Sequence, residues 1–196
     1  MFKKRFAQLS PAALAIFLVA PVPAAFAQGA PFDATAEVAA LFRAVRSDTK
    51  RPQRCEYATT WASDEDGTAA HFLDGPPAPQ PAVVPTPQEV LGINQAETLG
   101  LCDAKEKQRY LAARIRAVEQ GVTSGFNLDE TFLTFPIFSQ DRTHAVYLET
   151  SVRRSWSMTP DGVKQTHAFS SQQAILCSKK NGAWRAYGTE LLFIAE

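Results

Sequence analysis

Residues 143–156 have the sequence THAVYLETSVRRSW, and this stretch decides the fold class. Val146, Leu148 and Val152 occupy alternate positions, with Thr150 between the last two, so an extended chain would place them on one face. β-Branched and aromatic residues, which favour strands, are frequent in the same stretch. The pattern predicts a β-strand with one apolar face.

Three further segments around this strand also have strand character. Residues 132–138 are rich in Phe, Thr and Ile, residues 163–179 follow a turn at 161–162, and residues 184–195 follow a turn at 181–182. Asn181-Gly182 separates the last two segments and is a strong hairpin signal, because both central residues of a type I′ turn need positive φ. The C-terminal half is therefore predicted to be a four-stranded antiparallel meander.

An amphipathic helix is predicted for residues 33–47. Its apolar positions follow the i, i+3, i+4, i+7 spacing that puts side chains on one helix face. These positions are Val38, Leu41, Phe42 and Val45. Asp33 is placed to cap the free amides at the start of the helix.

A second helix is predicted between Asp103 and Gly121. Asp103 and Glu106 have the spacing of a capping box, and Gly121 supplies a stop. The predicted apolar face consists of Leu111, Ile115 and Val118, preceded by Ala104 and Gln108. Together with the strands, these helices predict an α+β fold in which N-terminal helices pack on a C-terminal four-stranded antiparallel meander.

The segments between the helices are less regular. Residues 55–61 fit a short strand or a helical turn equally well. Residues 64–67 form an acidic turn that lacks the alternating oxygen ligands of a calcium loop. Residues 76–87 contain six prolines, which predicts an extended surface segment; docking of a proline-recognising partner there is the less favoured interpretation.

Two features of the C-terminal half resemble known domains. The order of helices followed by an antiparallel sheet, with a final hairpin Lys180-Asn181-Gly182-Ala183-Trp184-Arg185, resembles the cone fold of nuclear-transport-factor-like domains. The runs PIFSQD (136–141) and LCSKK (176–180) resemble exported bacterial domains of unknown function. The resemblance covers residues 104–196. It implies a fold with a pocket, in a group that includes both enzymes and binding modules.

The N-terminus has the three parts of a secretory signal. Lys3, Lys4 and Arg5 precede a short apolar core, which ends at prolines before the small-x-small site at 25–27. The core is shorter than the roughly 20 residues of a membrane helix, so a retained anchor is disfavoured. We expect cleavage of residues 1–27, export by the general secretory route to the periplasm, and one soluble domain over residues 28–196 without a membrane span.

Charge excludes some classes of partner. The chain has 20 basic and 20 acidic residues, and removal of the three basic residues of the leader leaves 17 basic and 20 acidic ones. This balance excludes a strongly basic nucleic-acid binder. The composition also excludes collagen-like and fully disordered chains.

Three cysteines remain after removal of the leader. An odd number in an oxidising compartment predicts one disulfide and one free thiol. We favour Cys55–Cys102, with Cys177 buried in a strand; Cys102–Cys177 is the alternative pairing. Neither a Cys-x-x-Cys motif nor histidines at ligand spacing are present, so no metal site and no cofactor are predicted.

The chain lacks the common motifs of catalysis. A nucleophile elbow, a phosphate loop, a dinucleotide fingerprint and a zinc-protease motif are all missing from the sequence. A turn near Pro160 would pair His144 with Leu176 and leave His167 far away along the hairpin. Asp129 and Glu130 are interpreted as a solvated turn before a strand.

The least ordinary feature is the polarity of the strand centres. Arg153-Arg154 and residues 170–173 stand where a two-sided core would need apolar residues. The predicted binding residues are Tyr147, Arg153, Arg154, Trp156, Gln172, Gln173 and Tyr187. They predict a binding or accessory protein with a protein partner in the cell envelope, for example an envelope factor or an immunity-type inhibitor. The alternatives are a cone-fold pocket enzyme with His144 or His167 as general base and a purely structural secreted protein.

Overall fold

The structure is a computed structural model that describes residues 32–45, 55–91 and 101–196. The described elements are helix α1 (Ala34–Val45), strand β1 (Tyr57–Ala58), a 3₁₀ helix (Thr68–Phe72), helix α2 (Pro87–Leu91), strand β2 (Leu101–Cys102), helix α3 (Ala104–Glu119) and strands β3 (Gly125–Leu133), β4 (Ile137–Phe138), β5 (His144–Thr159), β6 (Gly162–Lys180) and β7 (Ala183–Ala195). The predicted signal peptide lies outside the described residues. Within these ranges, no helix has the length and apolarity needed to cross a membrane.

Seven strands form the sheet. The long strands β3, β5, β6 and β7 are antiparallel neighbours in that order, β1 and β2 extend the sheet beyond β3 in parallel, and β4 pairs with β5. The α+β class with a mostly antiparallel sheet is confirmed. The predicted strand number of four is wrong, because the three additional strands are only two residues long and show no period in the sequence. The predicted strand at 132–138 is also wrong, since this stretch contains only the end of β3 and the short β4.

The β5–β6 hairpin has a different register from the predicted one. His144 lies opposite Ser178 rather than Leu176, and His167 lies opposite Ser155. The turn is centred after Pro160, and a bulge beside Ser155 shifts the pairing further. The two histidines still lie far apart along the hairpin, as predicted.

Helix α1 has the predicted capped start and apolar face. The Asp33 carboxylate accepts a hydrogen bond from the Ala36 amide (3.0 Å), which satisfies one of the free amides of the first turn. The buried residues of its apolar face are Val38, Leu41 and Phe42, with Val45 packed beside them. Glu37 fastens the helix to the sheet by accepting hydrogen bonds from Lys179 (2.5 Å) and Trp184 (2.6 Å).

Helix α3 has both halves of the predicted capping box. The Asp103 carboxylate accepts from the Glu106 amide, and the Glu106 carboxylate accepts from the Asp103 amide. The predicted inner face is wrong in its first two turns, where Ala104 and Gln108 are exposed. Lys107 points to the sheet instead, because its ammonium group pairs with the Glu130 carboxylate.

The alternation of side chains along β5 divides the core between two sides of the sheet. Tyr147 points to one side and packs on Phe42 of α1, with ring centroids 4.9 Å apart. Val146 points to the other side and shares a buried cluster with Ala69 of the 3₁₀ helix. Further along that second side, Trp156 packs under α3. Helix α1 therefore covers one end of the first side, and the 3₁₀ helix and α3 cover the second.

A disulfide joins Cys55 to Cys102, as predicted. It connects a residue two positions ahead of β1 to the last residue of β2, just ahead of α3. The alternative pairing with Cys177 is excluded, because that thiol is free and fully buried in β6. Burial raises the pKa of Cys177 to about 12, so the thiol stays protonated and unreactive at neutral pH.

The irregular segment between β1 and α2 is held at both ends. The Asp64 carboxylate of the acidic turn accepts hydrogen bonds from the amides of Thr68 (2.8 Å) and Ala69 (3.0 Å), which caps the 3₁₀ helix. In the proline-rich segment, Pro76, Pro77 and Pro79 are exposed. Pro85 and Pro87, in contrast, are buried. The Pro85 carbonyl accepts a hydrogen bond from the Trp61 ring (2.6 Å), and Pro87 is the first residue of α2.

Candidate functional site

Glu130 lies inside strand β3 and is 4% exposed. Its prediction as part of a solvated turn is therefore wrong. One carboxylate oxygen pairs with the Lys107 ammonium of α3, and the other pairs with the Arg154 guanidinium of β5. We call Lys107, Glu130 and Arg154 the ion-pair cluster. It connects α3 to two strands of the sheet through one buried carboxylate.

Burial and the neighbouring Arg154 cation both lower the pKa of Lys107. The Glu130 carboxylate opposes these effects, because it stabilises the charged ammonium form. The cluster carries two positive charges and one negative charge. Each carboxylate oxygen of Glu130 already has a cationic partner, so the cluster has the character of a structural junction.

The side of the sheet that α1 covers continues as an open surface beyond that helix. Cross-strand partners share a face, so the register fixes which side chains stand together. Beyond α1 the side chains form three rows, each made of neighbours on adjacent strands. The rows are Glu149, Gln173 and Leu191; then Ser151, Ser171 and Ile194; then Asp129, Arg153 and Phe169. We call these nine residues the open face. All nine are partly or fully exposed.

Part of the open face forms a groove of about 400 Å³. Its walls come from β3, β5 and β6 and from Glu56 next to β1. The side chains of the open face that line it are Asp129, Glu149, Ser151, Arg153 and Phe169. The groove thus combines carboxylates, a hydroxyl, a guanidinium and an aromatic ring, which suits hydrogen bonding and stacking rather than metal binding. Within the described ranges, no group of three or more metal-ligating side chains comes together.

Arg153 is fixed at the end of the groove by Asp129. Its Nε donates to the Asp129 carboxylate (2.6 Å), and this hydrogen bond, with the carboxylate charge, raises the pKa of Arg153. The Arg153 side chain is 58% exposed. Its remaining N–H groups therefore point toward a region that a partner can reach.

The seven predicted binding residues do not lie on one surface. Arg153 and Gln173 belong to the open face. Tyr147 is on the same side of the sheet but is buried under α1. Three residues point to the opposite side, namely Arg154 in the ion-pair cluster, Trp156 stacked on Phe126, and Gln172 bonded to Thr150. Tyr187 is exposed on β7 and contacts the ring edge of His144.

The two candidate general bases lie away from the groove. The His144 ring contacts the Thr143 hydroxyl (3.0 Å) at the start of β5. The loop before it is ordered by Asp141, whose pKa is lowered to about 2, chiefly by the Ser139 hydroxyl and then by hydrogen bonds from Thr143. His167 is exposed near the far end of the hairpin. The structure brings neither histidine to the open face.

The residues that sequence reasoning missed had a detectable signal. Phe126, Leu128, Glu130 and Phe132 alternate in β3, so Glu130 occupies an apolar position of a strand. Lys107 likewise has helical spacing to Leu111 on the inner face of α3. Opposite charges at apolar positions of two elements predict a buried pair, since each would be costly to bury alone.

No family model, curated protein or solved structure matches the chain.

Proposed function

We propose that the protein is a soluble periplasmic binding or accessory protein that holds a protein partner on its open face. The observation that carries the proposal is the composition of this face. Two exposed apolar side chains, Leu191 and Ile194, stand next to Gln173 and Ser171, and the row beyond Ser171 holds Arg153 and the Phe169 ring. Protein interfaces combine apolar contacts of this kind with a polar surround and with arginine.

The proposed compartment is supported by two features. The N-terminal residues 1–27 have the pattern of a cleaved secretory signal. The Cys55–Cys102 disulfide fits a protein that matures in an oxidising environment. An envelope accessory factor and an immunity-type inhibitor of a toxin are both functions that require only a stable binding surface in this compartment.

The chemistry of the open face favours a polypeptide as the ligand. Hydrogen-bond donors and acceptors are present in all three rows, which suits a partner that presents many polar groups. Asp129 and Arg153 neutralise each other at one edge of the face. Apolar contacts at the opposite edge, from Leu191 and Ile194, complete a surface that is four strands wide.

A matched pair of variants tests this proposal. Ser171 lies at the centre of the open face, and Ser170 is its neighbour on the opposite side of the same strand. We expect Ser171→Arg to reduce the partner recovered with the tagged protein from the cell envelope at least about tenfold, because a bulky charge at the centre of an interface blocks it. Ser170→Arg should leave recovery unchanged.

Equal recovery with both serine variants would contradict binding through the open face. The double variant His144→Ala, His167→Ala separates the proposal from the pocket-enzyme alternative. Under our proposal it retains the partner and the function. Loss of function with an unchanged melting temperature would favour the enzyme, with one of these histidines as general base.

A further inference from the structure

Strand β7 is the last strand at one end of the sheet. Among the described residues, no strand pairs with its outer edge, although β7 is 13 residues long. The strand contains neither Lys nor Pro, and its protection against edge pairing is limited to two bulges and the charges of Arg185 and Glu190. Its exposed large apolar side chains are Tyr187, Leu191, Phe193 and Ile194. An edge with these properties is competent to pair with another strand.

Two charges of opposite sign lie on one face of this edge strand. Arg185 pairs in register with Ser178, and Glu190 pairs with Ala174, and both partners are on the same side of β6. Both side chains are exposed, and neither has an ionic partner within the part of the chain that the structure describes. They are on the order of 15 Å apart along the strand, which is too far for a contact within one copy.

A bulge gives these two positions a common face. Five positions separate Arg185 from Glu190, and an uninterrupted strand would put them on opposite faces. The register of β7 against β6 shifts between Leu176 and Cys177, which makes Tyr187 an additional residue. The bulge therefore brings Arg185 and Glu190 to the same side of the sheet.

We propose that a second copy of this chain pairs antiparallel with β7, edge to edge, so that Arg185 lies opposite Glu190 of the partner subunit. A two-fold axis normal to the sheet, passing between Tyr187 and Gly188, produces this register. The same axis places Ala186 opposite Thr189 of the partner subunit, and these two residues also share a face. Every pairing keeps its side of the sheet, as an antiparallel ladder requires.

Charge complementarity favours a second copy over an unrelated strand. The two-fold axis places Arg185 of each copy opposite Glu190 of the partner subunit. One sequence therefore supplies both residues of two symmetric ion pairs. The register also brings Leu191 next to Trp184 of the partner subunit. Helix α1 packs beside Trp184, so it would cover part of the exposed apolar surface of Leu191. Leu191 would then belong both to the dimer contact and to the open face, and the charge-reversal variants test the dimer separately because Arg185 and Glu190 lie on the other side of the sheet.

Charge reversal tests both the dimer and its register. We expect sedimentation equilibrium of the purified protein to show a monomer–dimer equilibrium. Arg185→Glu and Glu190→Arg should each weaken the dimer about tenfold in Kd, because each change replaces two attractive pairs with two repulsive ones. The double variant R185E/E190R restores opposite charges and should return Kd to within about threefold of the original.

A second measurement checks the register through the backbone. Cys177 pairs in register with Ala186 and could capture a cysteine placed there, so the test uses the triple variant A186C/T189C/C177A. Each new cysteine then faces the other one across the axis, whereas the two are too distant within one copy to form a disulfide. Mild oxidation should give a covalent dimer. A protein that stays monomeric at every accessible concentration would overturn the proposal. So would a dimer that tolerates both single charge reversals, or one that the double reversal does not restore.

Discussion

Replacement of Glu130 by alanine is expected to lower the free energy of unfolding by about 3 kcal/mol. The Glu130 side chain is 5% exposed, and it is the shared partner of Lys107 and Arg154. Its removal leaves two cations beside each other in a poorly solvated junction, without the carboxylate that compensates them. The effect is at the lower end of the range for buried pairs, because each cation is about one-third exposed and water can partly solvate it.

The adjacent ion pair supplies the control for this measurement. Asp129 pairs with Arg153 one position earlier on each strand, but that pair is more exposed, with 26% of the Asp129 side chain and 58% of the Arg153 side chain accessible. Asp129→Ala should therefore cost less than about 1 kcal/mol. Urea denaturation of the two variants compares them directly. If both cost the same, Glu130 is not the buried junction between α3 and the sheet.

Removal of the disulfide is expected to have the other large effect. In the chain-entropy model, a cross-link over 47 residues stabilises the folded state by about 4 kcal/mol. Cys55→Ala with Cys102→Ala should lower the free energy of unfolding by about this amount. Because β1 and β2 are only two residues long each, we also expect their pairing to loosen first.

Reduction of the disulfide in the unmodified protein gives an independent check. A reducing agent should lower the melting temperature of the original protein and leave that of the double cysteine variant unchanged. Alkylation should label Cys177 only after unfolding, since its thiol is buried and protonated. A double variant as stable as the original protein would show that the cross-link does not constrain the unfolded chain.

The elements with long periodic patterns could be predicted from the sequence. The apolar stripe of α1, the capping box of α3 and the Asn181-Gly182 turn are each determined by local chemistry, and all three are present in the structure. Each of these three features depends on residues close in sequence. The count of cysteines predicts one disulfide and one free thiol, and of the two pairings left open the favoured one, Cys55–Cys102, is present in the structure.

The face of each strand residue could not be predicted in the same way. Arg153 and Arg154 are adjacent in the sequence, yet one lies on the open face and the other joins the ion-pair cluster beneath α3. Their separation follows from alternation along β5, but which side is open depends on where α1 and α3 pack. Bulges add a second difficulty, because each one reverses the facing of the residues beyond it.

The buried carboxylate was missed for a related reason. Asp129-Glu130 resembles an exposed turn when two adjacent residues are considered alone, since both are charged and lie between helix and strand. In the structure, the same pair is split by strand alternation, with Asp129 at the groove and Glu130 in the ion-pair cluster. Only the apolar neighbours at every second position indicate that the strand has already begun.

The most direct test of the central claim is site-specific photo-crosslinking in living cells from position 171, with position 170 as the matched control. If the open face holds a protein partner, a photoreactive residue at 171 should give one crosslinked species of defined mass. The same residue at 170, on the opposite side of β6, should give none. No crosslinked species from 171, or the same species from both positions, would contradict the claim.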